Sequence, residues 1–213
     1  MNNAIILASK SPRRIELLEK AGFVVTSIPA NTEENINPQW GPEETVINLS
    51  MEKAQAVRNV LKQIIGDSNN DYVNSPSNYS ALTAVLSEDL PIIAADTIVY
   101  LDNIIGKPRD KDDALSILMK LSGKEHKVYT GVTILSLLDG SRKISFVDET
   151  SVFFKEYSPH DIEDYLNTDE PYDKAGAYAI QGYFGRFIDH IEGDYSNVMG
   201  LPIPRLLEEL KNF

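Results

Sequence analysis

Two polar residues interrupt the most apolar segment of the chain, and they are the first candidates for chemistry. Asp96 and Thr97 lie inside Pro91–Tyr100, a run rich in β-branched residues that is typical of a strand buried on both faces. Burying a carboxylate is costly unless a cation or hydrogen-bond donors stabilise its charge. The sequence therefore predicts a polar partner for Asp96, either a group within the fold or a ligand in a cleft.

Four basic residues lie where an anion could bind. Arg13 and Arg14 fall in the first turn of a predicted helix, where the helix dipole disfavours cations by about 0.3–1 kcal/mol each. A phosphate at the helix start would reverse that cost; otherwise both arginines are solvated or paired with carboxylates. Lys53 falls on the apolar stripe of a second helix, so it points either past the core edge or into a cleft. Lys107 follows a turn that returns the chain towards Asp96.

The segment Glu170–Gly182 fits neither a helix nor a strand pattern. It combines charged, small and aromatic residues, and its glycines would let a ligand approach the backbone closely. Gln181 carries an amide that both donates and accepts hydrogen bonds, as recognition of a nucleobase edge requires. The segment is therefore either the wall of a ligand site or an ordinary glycine-rich connection.

Strand and helix patterns alternate along the chain and predict an α/β fold. Asp139 and Gly140 are typical of a hairpin turn between two long strands. Residues 66–90 are rich in Asn, Ser and Asp, and we interpret them as a mobile insertion in a single domain spanning residues 1–213. The predicted strands are Ala4–Ala8, Phe23–Ile28, Pro91–Tyr100, Lys127–Leu138, Arg142–Phe154 and Phe187–Ile191, and the long helix is Pro42–Ile65.

The composition narrows the class of protein. The net charge of −12 argues against non-specific binding to nucleic acid or to an anionic membrane. No segment approaches the roughly 18 consecutive apolar residues of a membrane span, and the first residues lack a signal-peptide pattern. The absence of cysteine is compatible with the cytosol. We expect a cytoplasmic protein whose partners include neither a nucleic acid polymer nor a membrane.

Several short sequence blocks occur in a fixed order along the chain: LASKSPRR followed by ELL, then ADT, GKP, TGV, DKAGAYAIQG and VMGLP. Together these blocks resemble the Maf family of nucleoside triphosphate pyrophosphatases. They occur in the order found in that family, from residue 5 to about residue 204, so the resemblance covers nearly the whole chain.

The resemblance implies a two-lobed α/β fold on a long mixed β-sheet with flanking helices. That fold is similar to inosine triphosphate pyrophosphatases and has its active-site cleft between the lobes. The form of the Glu170–Gly182 segment resembles the branch that hydrolyses dTTP and UTP to the nucleoside monophosphate and pyrophosphate. The implied partners are a nucleoside triphosphate substrate, a second copy of the chain in a homodimer, and a divalent cation, Mg²⁺ or Mn²⁺.

The resemblance also implies roles for individual residues. Asp96 is the catalytic carboxylate, acting as general base or through the metal, and Glu34 is a second acidic residue near the metal. Two alternative functions remain open: a non-catalytic nucleotide-binding regulator of cell division, and a pyrophosphatase for non-standard purine or modified nucleotides. The implied phosphate contacts are Arg13, Arg14, Lys53 and Lys107, and the positions tied to substrate choice are Arg13, Thr97 and Gln181.

Overall fold

A mixed β-sheet of seven strands organises the part of this computed structural model that is described, namely residues 3–32, 36–66 and 89–213. Glu34 and most of the predicted insertion, residues 67–88, lie outside those ranges. The strands are β1 (Ala4–Leu7), β2 (Val24–Ser27), β3 (Pro91–Leu101), β4 (Asn103–Ile105), β5 (Glu125–Ser136), β6 (Lys143–Phe154) and β7 (Ile188–Glu192). The α-helices are α1 (Pro12–Lys20), α2 (Pro42–Gly66), α3 (Lys111–Leu121), α4 (Glu163–Leu166), α5 (Tyr195–Val198) and α6 (Ile203–Asn212).

The sheet is parallel on one side and antiparallel on the other. Its order is β2-β1-β3-β5-β6-β7, with β4 folding back onto β3. The pairs β2–β1 and β1–β3 are parallel, whereas β3–β5, β5–β6 and β6–β7 are antiparallel. This is the mixed sheet with flanking helices that was expected, and the predicted pairing of the two long strands is confirmed.

The helix ends follow the signals in the sequence. Pro12 occupies the first position of α1, where its missing N–H costs nothing. Asp110 caps α3, because its side chain accepts a hydrogen bond of 2.8 Å from the backbone N–H of Asp113. None of the helices in the described ranges is both long and apolar enough to cross a membrane.

One flank of β3 is open in its middle. β1 pairs with β3 only as far as Ile93, and β4 pairs with it from Val99 onwards. On this side no described strand pairs with residues 94–98, the stretch that contains Asp96 and Thr97. Since β1 and β3 run parallel, the opening lies at the carboxyl end of β1, which is where open α/β sheets commonly bind ligands.

Hydrophobic clusters lie on both sides of this opening. Because side chains alternate along a strand, Ile92 packs with α2 on one face of the sheet, while Ile93 packs with α1 and α6 on the other. A separate cluster around Val99 contains α3, the end of β6 and residues 177–184. These clusters form the two lobes, and the opening lies between them.

Helix α2 lies close to the sheet because a glycine of β5 leaves room for it. Gly131 is opposite Asp96 in the β3–β5 register. A Cβ atom on Gly131 would lie 2.4 Å from the backbone C and O atoms of Val46 in α2. One turn further along the helix, the hydroxyl of Ser50 lies 2.8 Å from that of Thr133 in β5. These contacts hold α2 directly over the part of the sheet that contains Asp96.

Candidate active site

The opening beside β3 leads into a cavity of about 550 Å³. The connection from β1 to α1 lines one side, β3 lines the base, and part of the Glu170–Gly182 segment lines the other side. Part of the segment therefore faces a cavity, and its role as the wall of a ligand site stays a prediction. Six of the predicted site residues line the cavity: Arg13, Arg14, Lys53, Asp96, Thr97 and Lys107.

Asp96 and Lys53 form an ion pair at the edge of the cavity. The Nζ atom of Lys53 lies 2.5 Å from Oδ1 of Asp96, and the two side chains are only 14% and 8% exposed, respectively. Lys53 therefore points into the cleft and not past the edge of the core. The pair compensates two charges that would each be costly to bury alone. The polar partner predicted for Asp96 is thus a lysine, and both groups also face the space where a ligand would sit.

Arg14 is held by hydrogen bonds to other parts of the chain. Its Nε donates to the carbonyl of Gly200 (2.8 Å), its Nη2 donates to Oγ1 of Thr97 (3.1 Å), and its Nη1 donates to Oγ of Ser9 (3.3 Å). Gly200 has a φ of 107°, and a Cβ there would lie 3.3 Å from both Arg14 Nε and Thr97 Oγ1. Arg14 therefore joins the start of α1 to the turn after α5 and to β3.

Thr97 belongs to a directed series of hydrogen bonds. Thr130 donates its hydroxyl hydrogen to the carbonyl of Asn197 (3.1 Å), so at the 2.9 Å contact between the two threonines it accepts from Thr97. Thr97 in turn accepts from Arg14. Hydrogen bonds to Arg14 of α1 and Thr130 of β5 thereby determine the rotamer of Thr97, next to the carboxylate of Asp96.

Arg13, unlike Arg14, is not held by hydrogen bonds to the described part of the chain. It is partly buried, lines the cavity, and forms no hydrogen bond with another described residue. The first turn of α1 contains no acidic residue. Lys107, which is exposed, lines the cavity from the connection after β4. Arg13 and Lys107 are therefore positioned to add positive charge to the cavity, in a protein with a net charge of −12.

The cavity-lining part of the Glu170–Gly182 segment is held by buried polar contacts. The hydroxyl of Tyr178 lies 2.8 Å from Nε2 of His126, and the hydroxyl of Tyr165 donates to the carbonyl of Ala177 (3.1 Å). Gly176 donates its backbone N–H to the carbonyl of Gly106 at 3.1 Å. Burial lowers the pKa of His126 to about 4, so this histidine is neutral at neutral pH. His126 is therefore a buried, uncharged partner that holds Tyr178 in place.

Gln181 is exposed and is not among the residues that line the cavity. Its role in base recognition stays a prediction. Two residues of the same segment that were not singled out from the sequence, Asp173 and Lys174, do line the cavity. Both residues open the DKAGAYAIQG block of the sequence, but the block does not by itself show that their side chains line the cavity. Gly131 was also missed, although a glycine inside a strand often marks a close backbone approach.

Asp96 fits a divalent cation of the kind that the resemblance implies. The described residues contain no group of three or more His, Asp or Glu side chains that could hold a metal ion. Mg²⁺, however, is commonly bound by one or two carboxylates together with phosphate oxygens of the substrate and water. The carboxylate of Asp96 at the cavity suits that mode of binding, with the second acidic residue, Glu34, outside the described ranges.

The fold and the cavity define an α/β protein with a cation-lined cleft built around a carboxylate–lysine pair. More specifically, the chain belongs to the Maf family, since the family model described as "Maf-like protein" matches residues 4–213.

Similar proteins are found among curated sequences and solved structures. A dTTP/UTP pyrophosphatase of Bacillus thuringiensis subsp. konkukian (strain 97-27) is 41% identical over 210 residues, which cover 98% of this chain and 95% of the relative. A dTTP/UTP pyrophosphatase of Bacillus cereus (strain G9842) is 40% identical with the same coverage. The Staphylococcus aureus Ham1 protein structure gives a TM-score of 0.48 at 12% identity, covering 98% of each chain. That similarity is weak, and the fold assignment depends on the sheet described above.

Proposed function

We propose that this chain is a nucleoside triphosphate pyrophosphatase that hydrolyses dTTP and UTP to the nucleoside monophosphate and pyrophosphate. The observation that carries the proposal is the Asp96–Lys53 pair facing a cavity that also contains Arg13 and Lys107. Relatives that are 40–41% identical over 98% of the chain are named dTTP/UTP pyrophosphatases, which supports the choice of substrates.

The distribution of charge suits a triphosphate. The chain as a whole is acidic, so a polyanion would be repelled from most of its surface. At the cavity, by contrast, basic side chains and the N-terminus of α1 attract an anion. Groups that stabilise the charge developing on the leaving pyrophosphate lower the barrier most when they are fixed before the reaction. In the proposal Arg13 and Lys107 have this role.

Asp96 acts as the general base in this mechanism. A water molecule attacks the α-phosphorus, the bond to the bridging oxygen breaks, pyrophosphate leaves, and the carboxylate of Asp96 takes the proton from water. A positioned general base contributes typically 10²- to 10⁴-fold to the rate. Lys53 keeps the carboxylate in place through the 2.5 Å contact and adds positive charge next to the phosphates.

A divalent cation, Mg²⁺ or Mn²⁺, is part of the proposal. Asp96 and Glu34 would hold it, and when bound it would neutralise charge on the phosphate oxygens. The proposal also includes a homodimer, which light scattering on the purified protein would test, and a cytoplasmic location.

The turnover of different nucleoside triphosphates tests this proposal. Uracil and thymine present an N3–H donor between two carbonyl acceptors, so we expect good turnover of dTTP and UTP and poor turnover of CTP, whose N3 and exocyclic amine reverse the pattern. The methyl group of thymine is worth about 1–3 kcal/mol, a factor of roughly 10–200, so dTTP and UTP should differ less from each other than either differs from CTP. Pyrophosphate release measured for dTTP, UTP, CTP, GTP and ITP decides the matter. Preference for CTP or a purine nucleotide would contradict the proposal, and binding without turnover would favour a non-catalytic regulator.

Gln181→Glu extends the same measurement to the predicted specificity residue. An ionised glutamate only accepts hydrogen bonds, so turnover of dTTP and UTP should fall while the melting temperature, Tm, stays unchanged for this exposed position. If the substitution slows all nucleotides equally, Gln181 does not select the base.

Alanine substitutions of the two adjacent arginines are expected to have different effects. Arg13→Ala should raise KM for dTTP and leave the Tm of the free protein unchanged or slightly higher, because a cation leaves the positive end of a helix dipole. Arg14→Ala should lower the Tm, since hydrogen bonds made by a charged group to Gly200 and Thr97 are lost, at a cost of about 1–3 kcal/mol. Thermal melts without ligand and steady-state kinetics on both variants test this. Equal Tm values for the two variants would contradict the structural role of Arg14.

A further inference from the structure

Lys174 is an unusually buried lysine on the side of the cavity formed by the Glu170–Gly182 segment. Its side chain is 12% exposed, and its Nζ donates to the carbonyl of Glu170 (2.6 Å) and to Oδ1 of Asp173 (2.5 Å). Asp173 is 75% exposed, and both residues line the cavity that contains Asp96. A carboxylate and an ammonium group are thus fixed side by side at the cavity.

The charges of this pair do not suit a phosphate group. Asp173 lies in contact with Lys174, so its carboxylate cancels the attraction that Lys174 would exert on an anion and would itself repel one. Arg13, by contrast, has no hydrogen-bonded carboxylate among the described residues. The triphosphate is therefore expected on the α1 side of the cavity. The Asp173–Lys174 pair suits an uncharged group that both donates and accepts hydrogen bonds.

Lys174 can still donate a hydrogen bond to an uncharged ligand, and Asp173 can still accept one. An ammonium group has three N–H donors, and within the described part of the chain two of them are used by Glu170 and Asp173. The third can donate to a ligand. An ionised carboxylate accepts several hydrogen bonds, and Asp173 is exposed enough to accept from a ligand as well as from Lys174.

We propose that Asp173 and Lys174 recognise the pyrimidine ring: Lys174 donates to a ring carbonyl, and Asp173 accepts from the adjacent N3–H. This inference rests on the proposed function and adds two specificity residues to it. Cytosine has no hydrogen on N3 and carries an amine in place of the carbonyl at C4. Its amine would therefore face the ammonium group of Lys174, which is also a donor, and its N3 would face the carboxylate of Asp173, which is also an acceptor. Sites that hydrogen-bond a substrate strongly reject analogues that leave their polar groups unpaired.

The position of the pair is determined by the rest of the fold. Lys174 is followed by Gly176 and Ala177, which have φ values of 70° and 59°, and Ala177 is held by the hydroxyl of Tyr165. A side chain rarely adopts that backbone conformation unless its surroundings impose it. A donor fixed in this way loses little freedom when it binds a ligand, which favours selective binding.

The test uses Lys174→Met, which keeps the length of the aliphatic stem, and Asp173→Asn, which keeps the shape of the side chain. We expect the ratio of kcat/KM for UTP to that for CTP to fall at least 10-fold in each variant, with UTP and dUTP affected equally. Lys111→Met is the matched control, because Lys111 is an exposed lysine that contacts Asn167 and does not line the cavity. The UTP-to-CTP ratio of kcat/KM in Lys111→Met should stay at the wild-type value.

Three outcomes would overturn the inference. If kcat/KM for UTP and for CTP falls by the same factor in the variants, Lys174 only holds the backbone at Glu170. If UTP loses activity while dUTP does not, the pair contacts the 2′-hydroxyl of the ribose and not the base. If Lys174→Met fails to fold, an unchanged ratio in Asp173→Asn, at an exposed position, is sufficient to reject the proposal.

The same variants separate this inference from the proposed function. Wild-type protein that hydrolyses no nucleoside triphosphate would contradict the proposed function. Equilibrium binding of the α,β-imido analogues of UTP and CTP still tests base recognition in that case. A wild-type preference for the UTP analogue that is lost in both variants supports the pair, and equal binding of the two analogues by wild type rejects it.

Discussion

Asp96→Asn is expected to lower kcat for dTTP by about 10²-fold or more. Asparagine keeps the shape of the side chain but cannot take a proton from water, so the contribution of a general base is lost. Substrate binding should change less, because the cations that line the cavity are retained. Steady-state pyrophosphate release, with kcat and KM determined separately, provides the measurement. Turnover near the wild-type rate would show that Asp96 is only structural.

The ion pair with Lys53 also makes a stability effect of Asp96→Asn unavoidable. The substitution removes the Asp96 carboxylate from contact with the ammonium group of a 14% exposed lysine. Breaking a fully buried pair from one side costs about 3–5 kcal/mol, and contact with the cavity makes the cost smaller here. The double variant Asp96→Asn/Lys53→Met removes the ammonium group as well. It should recover most of the lost Tm and none of the lost activity, which separates catalysis from folding.

The central strand and its polar residues could be predicted from the sequence because the signal is local. An apolar run containing Asp96 and Thr97 shows both that a strand is buried and that something polar must meet it. The helical period likewise placed Lys53 on the inner face of α2. What the sequence left undecided was whether Lys53 reaches a cleft. That depends on how closely α2 approaches the sheet, which is set by a contact between Val46 and Gly131.

Contacts between distant segments explain what the sequence pattern could not resolve. Arg14 looked equivalent to Arg13, because both lie in the first turn of α1. The carbonyl that holds Arg14 belongs to Gly200, 186 residues further along the chain. Similarly, the composition of the Glu170–Gly182 segment indicated that it could face a cleft. Which of its side chains line the cavity depends on the unusual backbone at Gly176 and on the hydrogen bond from Tyr165 to Ala177.

Gly131→Ala is expected to reduce both stability and activity, although it adds only one methyl group. The new Cβ would lie 2.4 Å from the backbone C and O atoms of Val46 and 2.8 Å from the backbone N of Ile47. A backbone neighbour cannot rotate away as a side chain can, so α2 itself must move. Overpacking of this kind typically costs about 1–3 kcal/mol, and each kcal/mol lowers the Tm of a protein this size by roughly 2–4 °C.

The effect of Gly131→Ala on activity follows from the position of Lys53, about two helical turns beyond Val46. If α2 shifts outwards, Nζ of Lys53 withdraws from Asp96, and a misplacement of about 1 Å can cost up to 10²-fold in rate. We therefore expect kcat to fall at least 10-fold at temperatures well below the new Tm, where the variant is folded. Gly106→Ala is the matched control, since a Cβ there meets no atom within 4 Å. Its Tm should match wild type. A Gly131→Ala variant with wild-type Tm and kcat would contradict the role of this contact in positioning Lys53 against Asp96.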